Sequence, residues 1–162
     1  MSIISKEIKA TWFIRLFGLK KVPLIFYCRP SVIKLADETT IIKIPFKRRN
    51  RNHLRSMYFG SLAVGADVAG GVLAMYLIRK SGRNVSLVFK DFKAEFLKRP
   101  EGDTHFTCND GLAVKKLIDE ATKTGERVNM PLKITATVPE ISGIEPVAEF
   151  ILTLSLKDKS IK

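Results

Sequence analysis

Met57-Tyr58-Phe59-Gly60-Ser61-Leu62-Ala63-Val64-Gly65-Ala66-Asp67-Val68-Ala69-Gly70-Gly71-Val72-Leu73-Ala74-Met75-Tyr76-Leu77-Ile78 decides how the rest of the chain must fold. The stretch is apolar, aromatic or small almost without break, and a single carboxylate, Asp67, sits in its midst. A helix that is hydrophobic all round is buried, either in a protein core or in a bilayer. An ionised Asp on such a helix loses its water and must find partners or take up a proton, so the position is costly unless it does something. Just upstream, Arg51-Asn52-His53-Leu54-Arg55-Ser56 is basic and polar. Together the two stretches predict a loop turning into a buried helix, with free backbone N–H groups where the helix starts and an acid farther along. That pairing is the candidate site.

The length would also suit a membrane span, with Arg55 and Arg79 as flanking anchors. Against a span stand four glycines, the central acid, and strands on both sides that need a shared core. Those strands are readable. Ser31 to Ala36 and Thr40 to Phe46 form a hairpin around Asp37-Glu38-Thr39. Ser81-Gly82 stops the apolar helix. Val85 to Leu97 is a long strand, broken by Arg99-Pro100-Glu101-Gly102-Asp103, and Thr104 to Cys108 begins its return. Gly111 to Thr124 is a second helix with Leu112, Val114, Leu117, Ile118 and Ala121 as its inner face. Val128, Met130, Leu132, Ile134, Ala136 and Val138 then alternate with polar residues, a strand with one wet face. After a turn at Ser142-Gly143, the last strand (147–156) places Ala148, Phe150, Leu152, Leu154 and Leu156 on one side. Ahead of all this, residues 3–19 carry Ile4, Ile8, Trp12, Leu16 and Leu19 at spacings of three and four, an amphipathic helix with Lys6, Lys9 and Arg15. Two readings of that stripe stand: packing on the sheet, favoured because Pro23, Leu24, Ile25 and Phe26 lead back into the core, or a peripheral membrane contact.

At 162 residues and 46% hydrophobic, the chain suits one well-filled core, a single domain over residues 1–162. The net charge of +12 is unevenly placed, for residues 1–55 hold 13 Lys and Arg against 3 Asp and Glu. A basic face suggests an anionic partner without naming it. Two cysteines, Cys28 and Cys108, make no disulfide framework, and the first residues do not read as a signal peptide, so a reducing cytoplasm is expected.

An apolar helix can be buried only if something wraps it, and a curved antiparallel sheet of five or six strands is the economical wrapper. Gly60, Gly65, Gly70 and Gly71 would let the strands come close. The expected class is α+β, with the layout of a hotdog fold. Within it, Asn52 to Asp67 resembles the active-site stretch of hotdog acyl-CoA thioesterases of the phenylacetic-acid-degradation type. In that group an Asn is followed six residues later by His-Gly-Gly, and an Asp or Glu comes nine after the His. Here Asn52 is followed after six by Tyr58-Phe59-Gly60, and Asp67 falls nine after Tyr58. Phe96-Leu97-Lys98-Arg99-Pro100-Glu101-Gly102-Asp103 also resembles the family's strand ending in Pro and Gly-Asp, and the likeness spans roughly residues 25–157. The Tyr-Phe-Gly form is similar to a poorly characterised branch of the superfamily. Two departures are plain: Tyr58-Phe59 replaces His-Gly, and Arg55 stands where relatives often have Gly.

The resemblance implies an acyl-CoA substrate, no cofactor beyond that coenzyme A, and a homodimer or a dimer of such dimers. Thioester hydrolysis needs a group for the charge growing on the carbonyl oxygen and a group that activates water. The N–H groups of Phe59 and Gly60 suit the first, backed by the helix dipole. Asp67 suits the second, with Asn52 orienting the water or the carboxylate. Phe59 and Asp67 are eight residues apart on one helix, about 12 Å along its axis, too far to serve one carbonyl. A twofold-related copy would supply the missing half of each site. Tyr58 can donate a hydrogen bond to the acyl group, Arg51 and Arg55 suit the phosphates of coenzyme A, and Phe89 and Phe92 would line an acyl channel. The bland alternatives are a solvated basic loop and a buried Asp67 paired with Arg, Lys90 or backbone. A non-catalytic hotdog protein binding acyl chains or lipid at a membrane surface is the rival function.

Other chemistries fit less well. The basic run has no recognition-helix pattern or aromatic-rich strand, which argues against nucleic acid. His53, His105, Cys28 and Cys108 lack metal-ligand spacing, and no Gly-x-Ser-x-Gly is present. The glycine-rich Gly65 to Gly71 lies within the helix rather than before one, which argues against a dinucleotide loop.

Overall fold

The computed structural model describes residues 5–160, so Ile4 of the expected stripe lies outside the described residues. Helix α1 (Lys6–Lys21) starts at Ser5, whose Oγ accepts from the Ile8 N–H, and the short α2 (Pro23–Cys28) follows with Pro at its first turn. Strands β1 (Ser31–Leu35) and β2 (Thr40–Ile44) form the expected hairpin. The apolar stretch becomes α3 (Phe59–Ser81), and Gly82 ends it with φ of 69°, a left-handed conformation that favours glycine. Then come β3 (Val85–Phe96), β4 (Thr104–Cys108), α4 (Gly111–Thr124), β5 (Val128–Thr137), the one-turn α5 (Pro139–Ser142) where only a turn was expected, and β6 (Pro146–Asp158).

The six strands make one antiparallel sheet in the order β1-β2-β4-β5-β6-β3, curved around α3. This is the α+β hotdog arrangement. The period of two in β5 and β6 turns Leu132, Ile134, Ala136, Phe150, Leu152 and Leu154 inward against α3, all fully buried. Two glycines make the contact close. A Cβ on Gly65 would lie 2.3 Å from the Phe106 ring, and one on Gly70 would lie 3.0 Å from Leu132 Cδ1. Gly60 and Gly71 do not serve this purpose: a Cβ on Gly60 would meet the ring of Tyr58, and Gly71 borders a groove. Gly65→Ala should therefore destabilise the protein: the helix-propensity gain of about 1 kcal/mol is outweighed by overpacking of about 1–3 kcal/mol against a buried ring. The denaturation midpoint in urea reads the difference.

Three expectations need correction. Helix α1 packs through Ile14 and Gly18, with Ala10 and Phe17 against the core, while Ile8, Trp12, Leu16 and Leu19 face outward. The helix carries apolar residues on two opposite faces, and Gly18 selects the inner one because its Cα rests on the α2 backbone, where a Cβ would be 2.7 Å from Phe26 N. In α4, Val114, Leu117, Ile118 and Ala121 are buried as expected, but Leu112 in the first turn is exposed. Helix α3 is not covered all round: Ala63, Asp67, Gly71 and Met75, at spacings of four, form a half-buried strip.

The strip stays open because the sheet stops short of closing. On the β1 side α1 seals the edge, with Thr11 Oγ1 accepting from the Val32 N–H at 2.9 Å and Arg15 bonding Pro30 O and Ser31 Oγ. The other edge, the outer side of β3, is 12 residues long and has no strand partner among the described residues, with Val88, Phe92 and Phe96 exposed. A long open edge of this kind is a template for another strand.

Candidate active site

The start of α3 is held by a side chain that sequence reasoning missed. Asn50 is fully buried; its Nδ2 donates to Cys28 O at 3.1 Å and to Pro45 O at 2.9 Å, and its Oδ1 accepts from Ser61 Oγ at 3.1 Å. Its own carbonyl accepts from the Tyr58 N–H. One asparagine thus ties α2, the end of β2 and the first turn of α3 together. Nothing in the polar run Arg48 to Asn52 marks Asn50 as the inward one.

Asn52, the expected orienting group, folds back on its own loop. Its Oδ1 accepts from the N–H groups of Leu54 and Ser56 and its Nδ2 donates to Ser56 Oγ, so the amide holds the turn rather than pointing at Asp67. This turn drives Arg55 to φ of 58°. A non-glycine residue there is strained by about 1 kcal/mol, which accounts for glycine at the matching place in the resembled family. Arg55→Gly should raise stability by about that amount, measurable as a higher thermal midpoint.

The turn delivers the start of α3 beneath the loop after β3. The Met57 N–H donates to Pro100 O, and Arg99 bonds the Leu54 carbonyl. Tyr58 is the N-cap without a side-chain cap, and among the described residues nothing accepts from the N–H groups of Phe59 and Gly60. At this helix start a cleft of about 400 Å³ is lined by Tyr58, Phe59, Leu62 and Phe96, together with His53, Lys98 and Arg99. The Tyr58 and Phe59 rings, 4.8 Å apart, are both largely exposed. Arg51 lies outside this cleft, its guanidinium over the Phe46 ring and bonded to Phe46 O; Arg55 is exposed in the loop and does not line the cleft. Lys98 and Arg99, which do, were not singled out from the sequence; both are half-satisfied by Glu145 and Glu101.

Asp67 opens onto a different cavity. The gap between the sealed and open ends of the sheet forms a groove of about 390 Å³, with Ile14, Phe17 and Ile25 on one wall, Leu87 and Phe89 on the other, and Asp67 on the floor. Among the described residues no donor or cation pairs with its carboxylate, neither Lys90 nor any arginine, and burial alone pushes its pKa up from the ordinary carboxylate value. Among the described residues none lines both cavities, so within a single chain Asp67 and the start of α3 face separate spaces. The inner face of β3 connects them: Phe89 borders the acid's groove, Phe96 borders the N–H cleft, and Phe92 lies between, its ring 5.7 Å from Phe150. Among the described residues no group of three His, Cys, Asp or Glu side chains is placed to hold a metal ion.

Solved structures share this fold over nearly the whole chain. A Pseudomonas aeruginosa protein of unknown function, described as a probable thioesterase, is 24% identical with a TM-score of 0.73, covering 91% of this chain and 95% of its own. A Chlorobaculum tepidum protein of unknown function is 14% identical with a TM-score of 0.81, covering 94% and 97%. A thioesterase enzyme of Staphylococcus aureus, solved as a mutant, is 11% identical with a TM-score of 0.62, covering 83% and 98%. No curated protein matches. Residues 10–147 match one family throughout, and the chain belongs to it: the DUF4442 family, a domain of unknown function.

Proposed function

We propose that the protein hydrolyses acyl thioesters of coenzyme A or a similar phosphate-bearing carrier, working as a homodimer with two composite sites. The observation that carries this reading is Asp67: a carboxylate with no partner among the described residues, on the floor of an apolar groove, with its pKa raised by burial. Structural neighbours described as thioesterases support the same chemistry. The open β3 edge supports the dimer, since antiparallel pairing across a twofold axis would continue the sheet and bring each protomer's Asp67 groove toward its partner's N–H cleft.

In this reading the acyl chain lies along Phe89 and Phe92, and the thioester carbonyl points at the N–H groups of Phe59 and Gly60 in the partner. Asp67 takes a proton from water as the oxygen attacks the carbonyl carbon, and the two N–H groups hold the resulting oxyanion. Collapse breaks the C–S bond, and the proton on Asp67 passes to the thiolate, leaving a carboxylic acid and a free thiol. Tyr58 lies against Phe59 as a wall and hydrogen-bond donor for the substrate. Lys98 and Arg99, which line the cleft, would meet the carrier's phosphates. Asn52 contributes by shaping the turn that presents the N–H pair. The proposed compartment is the cytoplasm, where the free, buried thiols of Cys28 and Cys108 stay reduced.

The test is release of free thiol from acyl-CoA substrates of graded chain length. Turnover should rise with pH as Asp67 ionises, with its midpoint above the ordinary carboxylate pKa because burial favours the protonated form. Binding without release at every chain length would replace hydrolysis with the acyl-binding alternative.

A further inference from the structure

The outward face of α1 and α2 has no role in the site just described. Ile8, Trp12, Leu16 and Leu19 are 50%, 62%, 50% and 53% exposed, and at 100° per residue they fall within about 80° of one another on α1. Leu24 and Tyr27 of α2 are exposed as well. A stripe of exposed apolar side chains of this kind marks a contact. Cations stand at its end: exposed Lys20 and Lys21 close α1 and Arg49 sits over the Tyr27 ring, while Lys6 lies over the Tyr76 ring and Lys9 borders the cavity between α1 and α3.

We infer that this face docks on a bilayer surface rich in anionic phospholipid, with Trp12, Leu16 and Leu19 in the headgroup boundary and the lysines against lipid phosphates. The charge selects this occupant. An isologous contact with a second copy would set each lysine near its own like in a segment, residues 1–55, that already holds 13 cations against 3 acids. An anionic surface pairs the same charges, and an interfacial helix with Trp and Leu on one side and Lys flanking it is suited to that boundary. Val22, half-exposed between the helices, also lines the Asp67 groove, so the docked face borders the groove's wall.

Trp12 is the only tryptophan and reports contact directly. The full chain should pellet with phosphatidylcholine vesicles containing phosphatidylglycerol, with a blue shift of Trp12 emission, and bind at least about tenfold less to phosphatidylcholine alone. Leu16→Glu with Leu19→Glu should cut partition at least about tenfold while circular dichroism and particle mass stay as in the wild type. Lys20→Glu with Lys21→Glu should remove most of the anionic preference and serves as the independent variant should the first fail to fold. No wild-type pelleting and no shift of Trp12 emission would overturn the inference, as would undiminished binding by the folded variants. A change of particle mass in the leucine variant would also overturn it and give the face to a second copy.

Discussion

Asp67→Asn should lower thioester turnover by about 10²- to 10⁴-fold, the usual worth of a positioned general base, while substrate still binds. The same substitution should make the protein more stable at pH values above the folded pKa of Asp67, whereas replacing an acid held by a protein partner would not. Burial raises the folded-state pKa of Asp67 above its unfolded value, so its folded form holds the proton more tightly. That contribution is fully present below the unfolded pKa and is lost as pH rises through the folded pKa. Above that folded pKa the wild type carries an ionised carboxylate in an apolar groove with no partner among the described residues, and the isosteric amide relieves it. Thermal midpoints of the two proteins should differ most above the folded pKa and converge in acid. A variant that loses both activity and stability at neutral pH would instead make Asp67 a structural residue.

Asn50→Ala should cost about 3 kcal/mol of folding stability, a large share of the 5–15 kcal/mol typical of a domain. Truncation leaves Cys28 O, Pro45 O and Ser61 Oγ without their buried partner, and each stranded group carries its own desolvation cost. Asn50→Asp should be no better: it keeps the shape but sets a carboxylate against two carbonyl oxygens. Urea denaturation reads both, and a loss under about 1 kcal/mol would mean that the loop does not depend on this anchor. Because Asn50 also receives the Tyr58 N–H, loosening it should degrade the site as well as the fold.

Most of the fold was legible because its signals are local. Residues 128–138 alternate with a period of two, so β5 shows its inner face in the sequence, and α3 announces its burial by composition. Helix α1 turns the expected stripe outward, since its two apolar stripes obey the same spacing and only the contact of Gly18 with α2 separates them. The acid and the N–H pair were legible as residues, and so was their separation along α3. That Asp67 lies on an uncovered strip was not, because it depends on how far the sheet wraps. Asn50 and Asn52 are two residues apart in one polar run, and which turns inward is decided by the carbonyls of Cys28 and Pro45, remote in structure rather than in pattern.

The most direct test is complementation between two inactive variants. Asp67→Asn lacks the base; Phe59→Pro removes one N–H donor at a first helical position, where proline is tolerated. Each homodimer should be nearly inactive. Refolding an equal mixture should yield heterodimers with one intact composite site, restoring about a quarter of wild-type activity. A mixture that exchanges subunits yet stays inactive would place the acid and the N–H groups of a working site in the same protomer, and the composite site would fall.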